Sequence, residues 1–168
     1  EGVIEYQIAA EKLYGTMDPD DLQKALQLYE KIVDIDPESP ELRMELANLY
    51  MLLEQNEKAI EEFRKIAEVY EAMPDSTEEG VNTPKWELLI DVYKQILTVD
   101  PDDLNAKENI ANALMRVGTS DKATKEFRSI AKELQEKGDI VRSTEFLQKV
   151  TNLEPTDFSS RFSLAGNL

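Results

Sequence analysis

Shifted by 64 residues against itself, the chain lays Asp36 to Ala67 on Asp100 to Ala131 without a gap, with 12 of 32 positions identical. The identities are Asp36, Pro37, Ala47, Asn48, Met51, Lys58, Ala59, Glu62, Phe63, Arg64, Ile66 and Ala67. A chain made of copies of one supersecondary unit must bury each unit's apolar face on the next, which confines it to repeat architectures. The same shift carries Tyr29, Ile32 and Pro37 onto Tyr93, Ile96 and Pro101. A weaker third copy opens at Pro155, where Leu164 and Ala165 fall on Ile110 and Ala111 after a shift of 54. The ten-residue difference is placed in the stretch from Met73 to Pro84, which has Pro, Gly, Asn and acids but no apolar period, and so predicts a surface loop over 74–84.

Elsewhere apolar residues recur at three- and four-residue spacing, as in Leu42, Leu46, Leu49, Tyr50 and Leu53, or Ile110, Ala113, Leu114 and Val117. No alternating stretch makes a strand. Asp36-Pro37, Asp100-Pro101 and Glu154-Pro155 each end an apolar helix with a residue that cannot continue it. Helices are expected at 3–14, 19–35, 40–54, 57–72, 85–99, 104–117, 121–137, 140–153 and 157–168. Helices this short are marginal alone, and short turns make neighbours antiparallel, so each must bury its stripe on the next. The expected fold is an all-α solenoid of antiparallel helix pairs.

The junction residues carry a resemblance. Leu46-Ala47, Tyr50, Ala59 and Phe63 resemble the tetratricopeptide repeat, and Ile110-Ala111, Leu114, Gly118, Ala123 and Phe127 repeat the pattern. A further unit reads Ile130-Ala131, Leu134, Gly138, Ser143, Leu147 and Pro155, and Ala25, Tyr29, Ile32 and Pro37 look like the second half of another. The resemblance implies a right-handed superhelix in one domain over 1–168. Its units would be 3–37, 40–73, 85–103 after the loop, 104–137, 121–155 and a partial 156–168, in a fragment of a longer chain. The family's early Trp is absent, Trp86 lying on a second-type helix, and the loop stands where a first helix is expected, which suggests a local change of superhelical path.

The resemblance also implies that the first helix of each pair lines a concave groove. Helical spacing then puts Glu41, Met44, Glu45, Asn48, Met51 and Leu52 on the inward face of one copy, and Asn105, Glu108, Asn109, Asn112, Met115 and Arg116 on that of the other. Asn48 with Asn112 and Met51 with Met115 coincide in the two copies, although packing does not require them. Asn amides offer a donor and an acceptor to an extended backbone, and Met an adaptable apolar contact, which suits peptide capture. Simple duplication of surface Asn and packing Met is the plainer alternative. Some family members clamp an acidic C-terminus with Lys and Arg one turn from such Asn residues. Here Met44 and Glu108 hold those positions, so the implied ligand is a protein or peptide, basic or neutral and partly apolar. Arg116, Lys125, Arg128 and Lys132 form a basic strip that would also admit an amphoteric ligand.

Charge narrows the partner. The net charge is −16 from 19 basic and 35 acidic side chains, residues 1–84 carrying 7 basic and 21 acidic groups, net −14. Nucleic acid and anionic membrane are disfavoured, and an attraction for basic partners belongs to the first half. With no Cys and no His, disulfides, thiol nucleophiles, Ser-His triads and nearly all zinc or iron sites are absent. Asp18-Pro-Asp20-Asp21 and Asp100-Pro-Asp102-Asp103 loosely resemble calcium or terpene-cyclase strings but sit at helix starts, where Asp and Pro act as caps. No Gly-rich phosphate loop occurs. The expectation is a non-catalytic interaction scaffold without cofactor or metal, not inserted in a membrane, and cytoplasmic, since no signal pattern or long apolar run is present. The other expectation is a self-associating architectural module, with Phe158, Phe162 and Leu164 forming an uncovered terminal stripe.

Overall fold

The computed structural model describes residues 2–74 and 85–167. These form nine α-helices: α1 (Gly2–Tyr14), α2 (Pro19–Ile35), α3 (Pro40–Leu52), α4 (Asn56–Ala72), α5 (Lys85–Val99), α6 (Leu104–Arg116), α7 (Ser120–Glu136), α8 (Ile140–Leu153) and α9 (Phe158–Asn167). The fold is an all-α helical repeat, and every helix end lies within two residues of its sequence expectation. Of the expected loop, residues 75–84 lie outside the described residues.

Helix starts are set by side chains that satisfy free backbone N–H groups. Asp18 accepts from the amides of Asp20 and Asp21 at 3.0 and 3.3 Å, with Pro19 opening α2. Ser39 accepts from Leu42 N–H ahead of Pro40, and Asp103 from Ala106 N–H at 2.9 Å. Thus the two acidic strings are cap sequences, though not in the same way. Asp18 is itself the cap, whereas Asp100 follows α5 and Asp103 caps α6. The turns after α3, α6 and α7 close with the same pair of backbone bonds. Gln55, Thr119 and Asp139 donate to Tyr50, Leu114 and Leu134, with Glu54, Gly118 and Gly138 in left-handed conformation.

The helices fall into two compact units. The first holds α1 to α4 and residues Thr98–Pro101, the end of α5 with the start of the turn after it; the second holds α5 up to Leu97 and α6 to α9. Within the first, α1 packs on α2, α2 on α3 and α3 on α4. Within the second, α6 packs on α7, α7 on α8 and α8 on α9. Small residues let the helices approach: Ala47 and Ala59 in one unit, Ala111 and Ala123 in the other, all fully buried. Phe63 and Phe127, 64 positions apart, fill the space beside them. Each such ring contributes about 3 kcal/mol or more by comparison with its truncation to Ala. Ser143 takes the small-residue place on α8, and its hydroxyl donates to the Ala131 carbonyl of α7 at 2.9 Å, so the buried oxygen is satisfied.

Candidate functional site

Packing divides α3 and α6 into two faces. On α3, Leu42, Leu46, Ala47, Leu49 and Tyr50 are buried, leaving Glu41, Glu45 and Leu52 exposed and Met44, Asn48 and Met51 half-buried. On α6, Ala106, Ile110, Ala111 and Ala113 are buried; Asn105, Asn112 and Arg116 are exposed; and Glu108, Asn109 and Met115 are half-buried. Each set of six therefore lies together on one helix of its own unit. Among the described residues, the amides of Asn48 and Asn112 make no hydrogen bond.

Tertiary contacts alter the chemistry of several of these residues. Lys149 of α8 donates to Glu108 at 2.8 Å, so this carboxylate is neutralised rather than repelling an acidic ligand. Met115 packs on the core of the second unit, and the Arg116 guanidinium lies 5.5 Å from the centre of the Trp86 ring. The expected basic strip is paired in part. Arg128 bonds Glu154 and Asp157 at 3.0 and 2.7 Å, and Lys132 stands 3.7 Å from Glu136. Lys125 and Arg116 stay exposed without an ion pair among the described residues, so part of the strip's charge remains open to a ligand.

The first unit also carries a cleft of about 430 Å³ that the sequence reading caught only in part. Glu41, Leu42 and Glu45 of α3 form one wall, Gln7, Glu11 and Tyr14 of α1 the other, with Tyr29 of α2 between them. Glu41 and Glu45 were among the expected residues. The α1 residues were not, because the period of one helix says nothing of which neighbour it faces across a turn. Tyr29 is 4% exposed, and its hydroxyl has no hydrogen-bond partner among the described residues. Burial, then the charges of Glu45 and Glu11, push the phenol up to about 12, so it stays neutral and able to donate.

Some other acids of this unit are paired. Arg43 and Lys65 both bind the buried Glu62, and Tyr50 donates to Glu30 at 2.8 Å. In the cleft, Glu11 and Glu45 have no ion pair among the described residues, and Glu41 accepts only from the Ser39 hydroxyl.

Among the described residues, no helix is long and apolar enough to cross a membrane. No curated protein matches the chain. Among solved structures, the chain is similar to the crystal structure of MamA protein at 17% identity, covering 99% of this chain and 90% of that one, with a TM-score of 0.44. It is similar to a thermophilic tetratricopeptide repeat protein of Thermus thermophilus at 18% identity, 98% of each chain and a TM-score of 0.35. It is also similar to YrrB, described as a tetratricopeptide repeat protein with an unusual peptide-binding site, at 18% identity, 99% and 92% coverage and a TM-score of 0.37. Residues 17–72, which run from the turn before α2 to the end of α4, match the tetratricopeptide repeat family. The match to the tetratricopeptide repeat family is carried by this segment, which holds α2 to α4 of the first unit.

Proposed function

We propose that the protein is a non-catalytic interaction scaffold that binds a partner peptide or helix through the face that packing leaves uncovered on α3 in the first unit and on α6 in the second. The observation that carries this reading is the pair Asn48 and Asn112. They hold equivalent positions in the two copies, and both amides are free of hydrogen bonds among the described residues. A side-chain amide on a packed helix is already oriented, so little ordering cost falls on the receptor when an extended backbone binds it. Met51 and Met115 stand one turn further along and supply apolar surface. The partner suited to these faces is basic or neutral with apolar residues, because Glu41 and Glu45 are exposed and the first half of the chain is net −14.

The test uses peptides selected on the protein from a random peptide display library. Their dissociation constants are compared between the wild type and the Asn48→Ala, Asn112→Ala double variant. Loss of the amide bonds is expected to weaken binding about tenfold to a hundredfold with unchanged helicity. Equal affinity for both proteins would remove the reading.

A second reading, self-association, is favoured by a separate observation. Phe158 and Phe162 of α9 are 76% and 83% exposed one turn apart. Leu164, expected in the same stripe, instead packs against the core of its own unit, so the uncovered surface is narrower than the sequence suggested.

A further inference from the structure

Resting on the proposal that the uncovered face of α3 receives a partner, we infer that the cleft between α1 and α3 is a socket for one lysine or arginine side chain of that partner. Glu11, Glu41 and Glu45 surround about 430 Å³ of space with no cation opposite them among the described residues, whereas Glu62 in the same unit is bound by Arg43 and Lys65. Like charges around a cavity repel one another, and an arriving cation relieves that repulsion.

Tyr29 points to a ligand independently. It is a nearly fully buried residue lining the cleft, and its hydroxyl, which makes no hydrogen bond among the described residues, is reached from the cleft. A guanidinium or ammonium N–H donated to that oxygen would satisfy it.

The shape selects a side chain rather than a bare ion. Among the described residues, no group of three or more acids stands close enough to hold a metal. The walls alternate carboxylates with Tyr14, Tyr29 and Leu42, which suit a methylene stem ending in a charge. The aromatic rings add attraction for the cation itself.

The probe is the blocked pentapeptide Gly-Ala-Arg-Ala-Gly, acetylated and amidated so that the arginine carries its only charge. It is titrated into isotope-labelled protein and followed by amide chemical shifts. Shifts are expected to cluster at Gln7, Glu11, Tyr14, Tyr29, Glu41 and Glu45, and to vanish when citrulline replaces arginine. Glu11→Gln with Glu45→Gln is expected to weaken binding about tenfold or more. Tyr29→Phe, which removes one oxygen and keeps the packing, is expected to weaken it about threefold to tenfold.

Binding of the citrulline peptide equal to that of the arginine peptide, or no shift at the cleft, would overturn the socket. The two readings have different determinants: the socket requires the arginine of the pentapeptide with Glu11 and Glu45, whereas the broader reading requires the Asn pair for library-selected peptides. If library-selected peptides depend on the Asn pair but show no preference for arginine or lysine, the socket falls and the scaffold reading stands. If the pentapeptide binds while selected peptides ignore the Asn pair, the socket stands without it.

Discussion

Glu54 and Gly118 occupy equivalent places in the two copies and adopt the same left-handed turn, with φ of 56° and 77°. For a residue with a Cβ this conformation costs about 1–2 kcal/mol, a cost glycine avoids. No atom lies within 4 Å of the place where a Cβ on Gly118 would sit, so its substitution meets backbone strain alone. Gly118→Ala is expected to lower stability by about 1 kcal/mol, and Glu54→Gly to raise it by up to about 1 kcal/mol, less the added freedom of the unfolded chain. Urea unfolding of the two variants checks both signs; a stabilising Gly118→Ala would refute the account. The self-match already aligned these residues. That a glutamate holds the left-handed position was not legible, because the turn's two backbone bonds impose it and the side chain does not announce it.

At the scale of the element, α9 is tied to the rest of its unit by Asp157. Its carboxylate accepts from the Ser160 hydroxyl at 2.6 Å and from the amides of Ser159 and Ser160, and it binds Arg128 of α7 at 2.7 Å. These partners, Ser160 foremost, hold its pKa down from 3.8 to about 2. Because the folded value is the lower one, the attachment contributes fully above about pH 4 and is lost as pH falls toward 2. Hydrogen exchange should therefore show α9 amides equally protected at pH 7 and pH 5, and losing protection first among the helices of this unit between pH 4 and pH 2. Asp157→Asn keeps a capping side chain but removes the charge, so this step should disappear. An unchanged acid profile in that variant would place the cause elsewhere. The sequence marked the start of α9 but read Arg128 as part of a free basic strip. Residues 29 apart meet only once α7 and α9 are both packed with α8, and no local pattern records that.

For the whole molecule, two tendencies compete. Net charge of −16 opposes association between copies, while Phe158 and Phe162 favour it. Salt separates the two, since about 0.5 M ionic strength shortens the Debye length to a few ångströms without weakening apolar contact. If the second reading holds, light scattering should report the monomer mass of 19.2 kDa in dilute low-salt solution and a rising mass at high salt and concentration. Phe158→Ser with Phe162→Ser should keep the mass at 19.2 kDa throughout. A wild type that also stays at that mass would end the self-association reading.

The helices, their ends and their small-residue crossings were determined by the sequence alone, because 3.6-residue periodicity, capping and proline stops act within a few residues of chain. Duplication made the crossings easier to see, since Ala59 with Ala123 and Phe63 with Phe127 repeat both in type and in burial. Tertiary structure alone decided which charges remain available. Glu108 and Arg128 look as free as Glu45 in the sequence, yet Lys149, Glu154 and Asp157 neutralise them from other helices. The cleft likewise exists only once α1 and α3 flank Tyr29, because a cavity is a relation between surfaces of separate helices, and spacing along one helix does not encode it.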